Sequence, residues 1–168
     1  FLEGNVRVLQ LRFPPSFCLD AHPLVNGDDL LEANWRGLAR GTAQYPMAVG
    51  LLGLLQRIKS VEDNAWWCDW ILERKQHFVG MDLADDEVAY PASPFAPLFQ
   101  KAKAQGLGIT VHAGEPNVKG AARNILAALD ELGADRIGHG VQAIHDPEVV
   151  ARLVDDAVPL ELCPWSNV

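Results

Sequence analysis

Cysteine is scarce in this sequence of 168 residues, and its few thiols lie far apart. The three cysteines are Cys18, Cys68 and Cys163, an odd number that contains no C-x-x-C pair. Small secreted domains that depend on disulfides carry more cysteines at closer spacing. The sequence therefore excludes a disulfide-rich scaffold and indicates a reducing compartment, for which we expect the cytoplasm.

Long apolar runs and an excess of positive charge are also missing. A membrane helix needs about 18 consecutive apolar residues, and the nearest candidate, Met47–Leu55, is far shorter. The formal net charge is −8, which argues against a surface that holds polymeric nucleic acid. We therefore expect neither a membrane nor a nucleic-acid partner, and a small, weakly charged ligand fits better.

What the sequence does contain is a regular alternation of short apolar runs and amphipathic stretches. Ser60 and Asp146 are candidate N-caps, and Asp28 or Asp29 would cap a helix that ends at Gly41. Strands that alternate with helices in this way predict parallel β-α units. The predicted strands are Val6–Phe13, Met47–Leu55, His77–Leu83, Ile109–His112, Arg136–Val141 and Pro159–Cys163.

Two architectures suit this alternation, an open doubly wound sheet and a closed barrel. Neither phosphate-binding glycine motif, G-x-G-x-x-G or G-x-x-x-x-G-K-[ST], occurs after a predicted strand, so a nucleotide-binding open sheet fails its first test. Strand spacing alone does not choose between the two. The last predicted strand is not followed by the helix that normally covers it, so we expect the sequence to be an internal piece of a longer domain.

Polar side chains follow four successive predicted strands. Because the carboxyl ends of parallel strands meet at one edge, these side chains are expected to converge there. Histidine is a common zinc ligand, and a carboxyl group is a common proton donor. The run Asp85-Asp86-Glu87 also fits a solvated acidic turn, and Cys163 fits a small buried hydrophobe. The residues of interest are Asp82, Asp85, His112, Glu115 and His139.

At these positions the sequence resembles the adenosine deaminase family, and its bacterial members most closely. The T-V-H-A-G-E and R-I-G-H-G pair, with a helix between its two halves, is the most specific part of the resemblance. The resemblance implies a partial (β/α)₈ barrel of about strands two to seven, forming a single incomplete domain over residues 1–168. The matching segments are Leu11–Pro14, Gly80–Glu87, Thr110–Glu115, Arg136–Gly140 and Glu161–Asn167.

The resemblance also implies a reaction, the hydrolysis of adenosine or 2′-deoxyadenosine to the inosine product and ammonia, with one Zn²⁺ ion. It makes His112 a zinc ligand and Asp82 the residue that aligns the metal site. Glu115 would protonate N1 of the purine, and His139 would orient or deprotonate the attacking water. Asp85 and Glu115 would contact the purine.

Two departures from the family pattern affect these expectations. Asp85 stands where the family usually has a glycine whose backbone N–H contacts the purine. The family's His-x-His and Asp-Asp pairs, which supply further zinc ligands, lie outside this sequence. Because a catalytic zinc ion needs about three protein ligands, we expect the isolated chain to be inactive.

Two other functions stay open at this point. The first is deamination of another purine, such as adenine or an N6-substituted adenine or adenosine. No Lys or Arg lies between Arg12 and Arg36, which favours a nucleoside or base over a nucleotide. The second is a non-catalytic barrel remnant that binds a ligand or a partner.

Overall fold

The computed structural model describes residues 5–21 and 24–167, as six strands and six α-helices joined by short 3₁₀ turns. The strands are β1 (Val8–Phe13), β2 (Ala48–Gln56), β3 (Phe78–Ala84), β4 (Gly108–Ala113), β5 (Arg136–His139) and β6 (Leu160–Glu161). The helices are α1 (Pro15–Ala21), α2 (Gly27–Gln44), α3 (Val61–Glu73), α4 (Ala96–Ala104), α5 (Ala121–Asp130) and α6 (Pro147–Asp155).

All six strands form one parallel sheet in the order β1-β2-β3-β4-β5-β6. A doubly wound sheet reverses its strand order at a switch point, and this sheet has no reversal. The sheet also curls, as the ion pairs of Arg12 on β1 with Asp82 on β3 and with Glu161 on β6 show. The prediction of a partial (β/α)₈ barrel is confirmed.

One face of the curled sheet carries polar side chains and the other packs against helices. Side chains alternate between the faces of a strand, and the strand register places a matched set of polar residues on the inner face. Ile71 of α3, Phe99 of α4 and Ile125 of α5 are fully buried in the core that the helices form with the sheet. The polar residues that share the inner face include Gln10, Arg12, Asp82, Thr110, His112, Arg136 and Glu161.

Two of the predicted helix caps are present, and one prediction is wrong. The Ser60 hydroxyl accepts the N–H of Asp63 at 3.0 Å, and the Asp146 carboxylate accepts the N–H of Glu148 at 3.1 Å. The cap of α2 is Asn26, whose side chain accepts the N–H of Asp29 at 2.8 Å. Asp28 and Asp29 lie in the first turn instead, where their negative charge is favourable.

The bounds of α2, β5 and β6 also differ from the predictions. Helix α2 continues past Gly41 to Gln44, and the N–H of Tyr45 then bonds to the carbonyl of Gly41 at 3.0 Å. Strand β5 ends at His139 rather than Val141, because the backbone turns to positive φ at residues 139 and 140. Strand β6 is only two residues long, so the predicted strand to Cys163 is too long.

Helix α1 was not predicted. It begins at Pro15, a residue suited to the first helical position, and lies in the long connection between β1 and β2. Residues 22 and 23 of this connection lie outside the described residues. Within the residues that the structure describes, no helix combines the length and apolar character needed to cross a membrane.

Candidate active site

His112 lies at the carboxyl end of β4, beside the buried carboxylate of Asp82. Register pairs Asp82 with Thr110, so His112 projects from the same face two residues further along. The Asp82 Oδ1 atom lies 3.0 Å from His112 Nδ1. A carboxylate on one ring nitrogen of a histidine is a common arrangement around metal sites. The second ring nitrogen, Nε2, is the atom of His112 that is left to bind a metal.

Asp82 is fully buried and is held by a second partner, Arg12. Burial by itself raises the pKa of the Asp82 carboxyl, but the hydrogen bond and charge of His112 and the charge of Arg12 outweigh burial, and the pKa lies below its ordinary value. Burial lowers the pKa of the Arg12 guanidinium, but the charges and hydrogen bonds of Asp82 and Glu161 outweigh burial, and the pKa lies above its ordinary value. The pair is therefore ionised.

Sequence reasoning gave Arg12 no role, although β1 carries a usable signal. Arg12 and Gln10 interrupt an otherwise apolar strand at positions two residues apart, which places both on one face. From the sequence, Glu161 stands out only as the first residue of a segment that matches the family. It forms ion pairs with Arg12 and Arg136 and accepts a hydrogen bond from Thr110 at 3.0 Å.

His139 meets His112 because the backbone of β5 departs from regular strand geometry. Register pairs His112 with Gly138, so a regular strand would point His139 to the opposite face. The φ of His139 is 64°, and the two imidazole centroids lie 5.2 Å apart. A Cβ at Gly138 would lie 3.3 Å from His112 Nδ1. The glycine therefore makes room for the neighbouring imidazole.

Glu115 lies beside His139, on the same rim as His112. Its Oε1 atom lies 3.3 Å from Nε2 of His139, and its side chain is partly exposed. The chain after β6 closes over this pair, since Ser166 Oγ lies 3.4 Å from Glu115 Oε1 and the Asn167 side-chain nitrogen lies 3.1 Å from Nδ1 of His139. His112, Glu115, His139 and Asp82, all singled out from sequence, thus meet at one mouth of the sheet.

Ser166 and Asn167 end a segment that matches the family, and the sequence alone assigns them no role. A tight turn places them there, because the N–H groups of both residues bond to the carbonyl of Cys163, at 3.0 and 3.1 Å. Cys163 itself is partly exposed, and its thiol contacts the Glu161 carbonyl at 3.4 Å. The expectation of a buried hydrophobe at Cys163 is therefore wrong, since the residue belongs to a turn at the rim.

The acidic run after β3 is only partly a solvated turn. Asp86 is exposed and accepts the N–H groups of Val88 and Ala89. Glu87 turns inward, is 6% exposed, and accepts the N–H groups of Gly114 and Glu115 at 3.0 and 2.7 Å. The prediction of a solvated residue is wrong for Glu87, because its backbone hydrogen-bond donors lie in the loop after β4, far from Glu87 in the sequence.

Asp85 lies on the same rim, in a backbone conformation that favours glycine. Its φ is 79°, and non-glycine residues in this region carry strain of about 1 kcal/mol or more. Its carboxylate accepts a hydrogen bond from Gln56 Nε2 at 3.1 Å, and Gln56 in turn accepts one from Ser16 at 2.8 Å. The side chain is thus anchored to the end of β2.

Among the described residues, His112 is the candidate metal ligand, and Asp82 orients its ring. Within residues 5–21 and 24–167, no group of three or more His, Cys, Asp or Glu side chains is arranged to hold a metal ion. His112 fits zinc by chemistry, because its ring is oriented by Asp82 and Nε2 is left for coordination. A complete coordination sphere needs ligands beyond this set.

Comparison with known proteins identifies relatives over nearly the whole chain. The adenosine deaminase of Shewanella loihica is 38% identical over 160 residues, which are 95% of this chain and 47% of that protein. The solved adenine deaminase of Arthrobacter aurescens is 32% identical with a TM-score of 0.89, covering 99% of this chain and 49% of that one. The chain spans about half the length of the curated relatives it matches.

A third relative has a different substrate in its name. The Arabidopsis N6-mAMP deaminase is 29% identical with a TM-score of 0.77, over 97% of this chain and 48% of that structure. The sequence profile of the family described as "Adenosine deaminase" matches residues 3–168. This chain belongs to the adenosine deaminase family.

Proposed function

We propose that the protein containing this chain hydrolyses adenosine or 2′-deoxyadenosine, releasing ammonia and inosine or 2′-deoxyinosine, with one zinc ion in its site. The observation that carries the proposal is the meeting of His112, His139 and Glu115 at one mouth of the curled sheet. Membership of the family and the similarity to an adenosine deaminase support the choice of substrate.

Each residue has a task in this proposal. Glu115 donates a proton to N1 of the purine, which makes C6 more electrophilic. His139 lies within reach of Glu115 and orients the attacking water and accepts its proton. His112 holds zinc through Nε2, and Asp82 keeps that ring in place. When bound, zinc supplies Lewis acidity that lowers the pKa of a water molecule to roughly 7.

We further propose that residues 1–168 form a single incomplete barrel domain and that the isolated chain does not deaminate adenosine. One zinc ligand supports this, since a catalytic zinc ion needs about three. Cys18, Cys68 and Cys163 are free thiols, which supports the cytoplasm as the compartment. The negative net charge favours a small purine over a nucleic-acid polymer, and we propose no membrane partner.

Deamination of another purine is the second candidate. The observation that favours it is Asp85, a carboxylate at the rim where the family resemblance implies glycine. The similarity to an adenine deaminase and to an N6-mAMP deaminase supports the same alternative. A non-catalytic remnant is not favoured, because the candidate catalytic side chains are all present and close together.

The test uses the full-length protein that contains this chain, loaded with zinc, and the same protein after removal of the metal. Ultraviolet absorbance follows the turnover of adenosine, 2′-deoxyadenosine, adenine and N6-methyl-AMP. Zinc-dependent turnover with the highest kcat/KM for adenosine or its 2′-deoxy form supports the proposal. A preference for adenine or N6-methyl-AMP supports the second candidate, and no turnover of any purine contradicts both.

A further inference from the structure

Two buried charged residues behind the site take no part in the chemistry proposed above. Arg57 follows β2 and is 1% exposed, and Glu87 follows β3 and is 6% exposed. Burying an ionised group costs free energy unless hydrogen bonds compensate for it. The partners of these two residues therefore indicate why the fold keeps them.

Arg57 bonds to one backbone carbonyl group near the end of β4 and to another in the loop after β3. Its guanidinium donates to the carbonyl of His112 at 2.6 Å and to the carbonyl of Tyr90 at 3.2 Å. Burial lowers the pKa of Arg57 from its ordinary value, and nearby carboxylates, Glu87 first, act against that shift. A guanidinium stays protonated in proteins, so a cation holds the carbonyl at the end of β4.

Glu87 bonds to the backbone just after His112, where the chain leaves β4. Its two carboxylate oxygens accept the N–H groups of Gly114 and Glu115, and Asn124 of α5 donates to one of them at 2.7 Å. Gly114 has a φ of 66°, and a Cβ there would lie 2.8 Å from Ile125. The backbone between His112 and Glu115 thus follows one path, fixed by sterics and by charge-assisted hydrogen bonds.

We propose that Arg57 and Glu87 are positioning residues, a buried pair of opposite charges that holds the backbone of residues 112–115 so that the His112 imidazole and the Glu115 carboxyl keep their places beside His139. The inference rests on the proposed function for its effect on catalysis. Its structural part, the restraint of this backbone, stands on the contacts alone.

The test substitutes Glu87→Gln in the full-length, zinc-loaded protein. The amide keeps the length of the side chain but replaces one accepting oxygen with a donor that faces a backbone N–H. We expect kcat for the preferred purine to fall about 10- to 100-fold, because small misplacements of reacting groups have effects of this size. The KM should change by less than about threefold, since no substrate contact is removed.

Amide hydrogen exchange supplies a readout that does not depend on activity. The N–H groups of Gly114 and Glu115 should exchange faster in Glu87→Gln than in the wild type. The matched control is Asp135→Asn, because the Asp135 carboxylate accepts the N–H of Ile109 at the opposite end of β4, at 2.7 Å. That variant should accelerate exchange at Ile109 and leave kcat unchanged.

A second control separates positioning from general loss of stability. Val149→Ala opens space in the core beneath α6, where Val149 is fully buried, and should lower the Tm while leaving kcat unchanged. If Glu87→Gln does not fold, Asn124→Ala is the second variant, because it removes one hydrogen-bond donor from Glu87. It should lower kcat and accelerate amide exchange at Gly114 and Glu115, each by a smaller factor than expected for Glu87→Gln.

The outcomes are distinguishable. Wild-type exchange at Gly114 and Glu115 in a folded Glu87→Gln protein overturns the inference, and so does an unchanged kcat. Should the wild type turn over no purine, the proposed function fails. Faster exchange at the two amides would then still support the backbone restraint, and unchanged exchange would overturn it.

Discussion

At the scale of single residues, the site depends on side chains whose backbone departs from the regular pattern. His139 and Asp85 both have positive φ, a conformation that costs most non-glycine residues free energy and that clusters at functional sites. At His139 this conformation turns the imidazole toward His112. At Asp85 the side chain is anchored by Gln56. Both positions therefore combine strain with a specific contact.

Substitution of Asp85 tests the strain directly. Asp85→Gly and Asp85→Ala both remove the hydrogen bond to Gln56, but only glycine adopts a φ of 79° without strain. We expect Asp85→Gly to have a free energy of unfolding about 1 kcal/mol higher than Asp85→Ala. Urea unfolding of the two variants measures the difference, and equal stabilities would show that the backbone at residue 85 is not strained.

At the scale of elements, the caps and registers place the ends of the strands. Ser60 caps α3, which packs behind β2 and buries Ile71 and Cys68. The parallel register then carries Asp82, His112 and Glu161 to one face. Because the strands are in register, their carboxyl ends lie side by side, and residues far apart in the sequence form a single site.

The contribution of the α3 cap to the free energy of unfolding can be measured. Ser60→Ala removes the acceptor for the N–H of Asp63, and loss of such a cap costs about 1 kcal/mol. Thermal or urea unfolding should show this loss. Ser93→Ala, at an exposed position before α4, is the control and should stay within about 0.5 kcal/mol of the wild type.

At the scale of the whole molecule, a network of charges crosses the inner face of the curled sheet. Arg12 on β1 and Arg136 on β5 both form ion pairs with Glu161 on β6. Burial alone raises the pKa of the Glu161 carboxyl, but Arg12 and Arg136 outweigh it, and the pKa lies below its ordinary value of 4.5. The first and last strands are therefore linked through ionised groups.

This linkage predicts how stability depends on pH. The folded pKa of Glu161 is depressed, so its stabilisation is complete above the unfolded pKa of about 4.5 and is lost as the pH falls through the folded pKa. We expect the free energy of unfolding to decrease in acid, and Glu161→Gln to flatten that decrease. Urea unfolding at a series of pH values measures the slope.

The control for this prediction is Glu148→Gln, whose carboxylate is largely exposed in its ion pair with Arg123. Exposed ion pairs contribute little to stability, so this variant should keep the acid dependence of the wild type. An unchanged slope in Glu161→Gln would contradict the role assigned to the network.

Much of the fold was predictable because its signals are local. The apolar runs and the caps at Ser60 and Asp146 lie within a few residues of the features they specify. Helix α1 and the cap at Asn26 were missed, since neither has a strong apolar period or a unique capping candidate. The ends of β5 and β6 were misplaced because positive φ at residues 139 and 140 breaks the strand.

The sequence by itself determined the parallel β-α order and the residue types at the strand ends. The reason is that the spacing of apolar residues, and the polar residues that follow each apolar run, are local features of neighbouring positions. Only the tertiary structure decided that Glu87 is buried, that Arg12 pairs with Asp82, and that His139 turns toward His112. Each of these depends on partners from a distant part of the sequence. A buried charge is defined by the distant groups that satisfy it, and those groups come together only when the sheet curls.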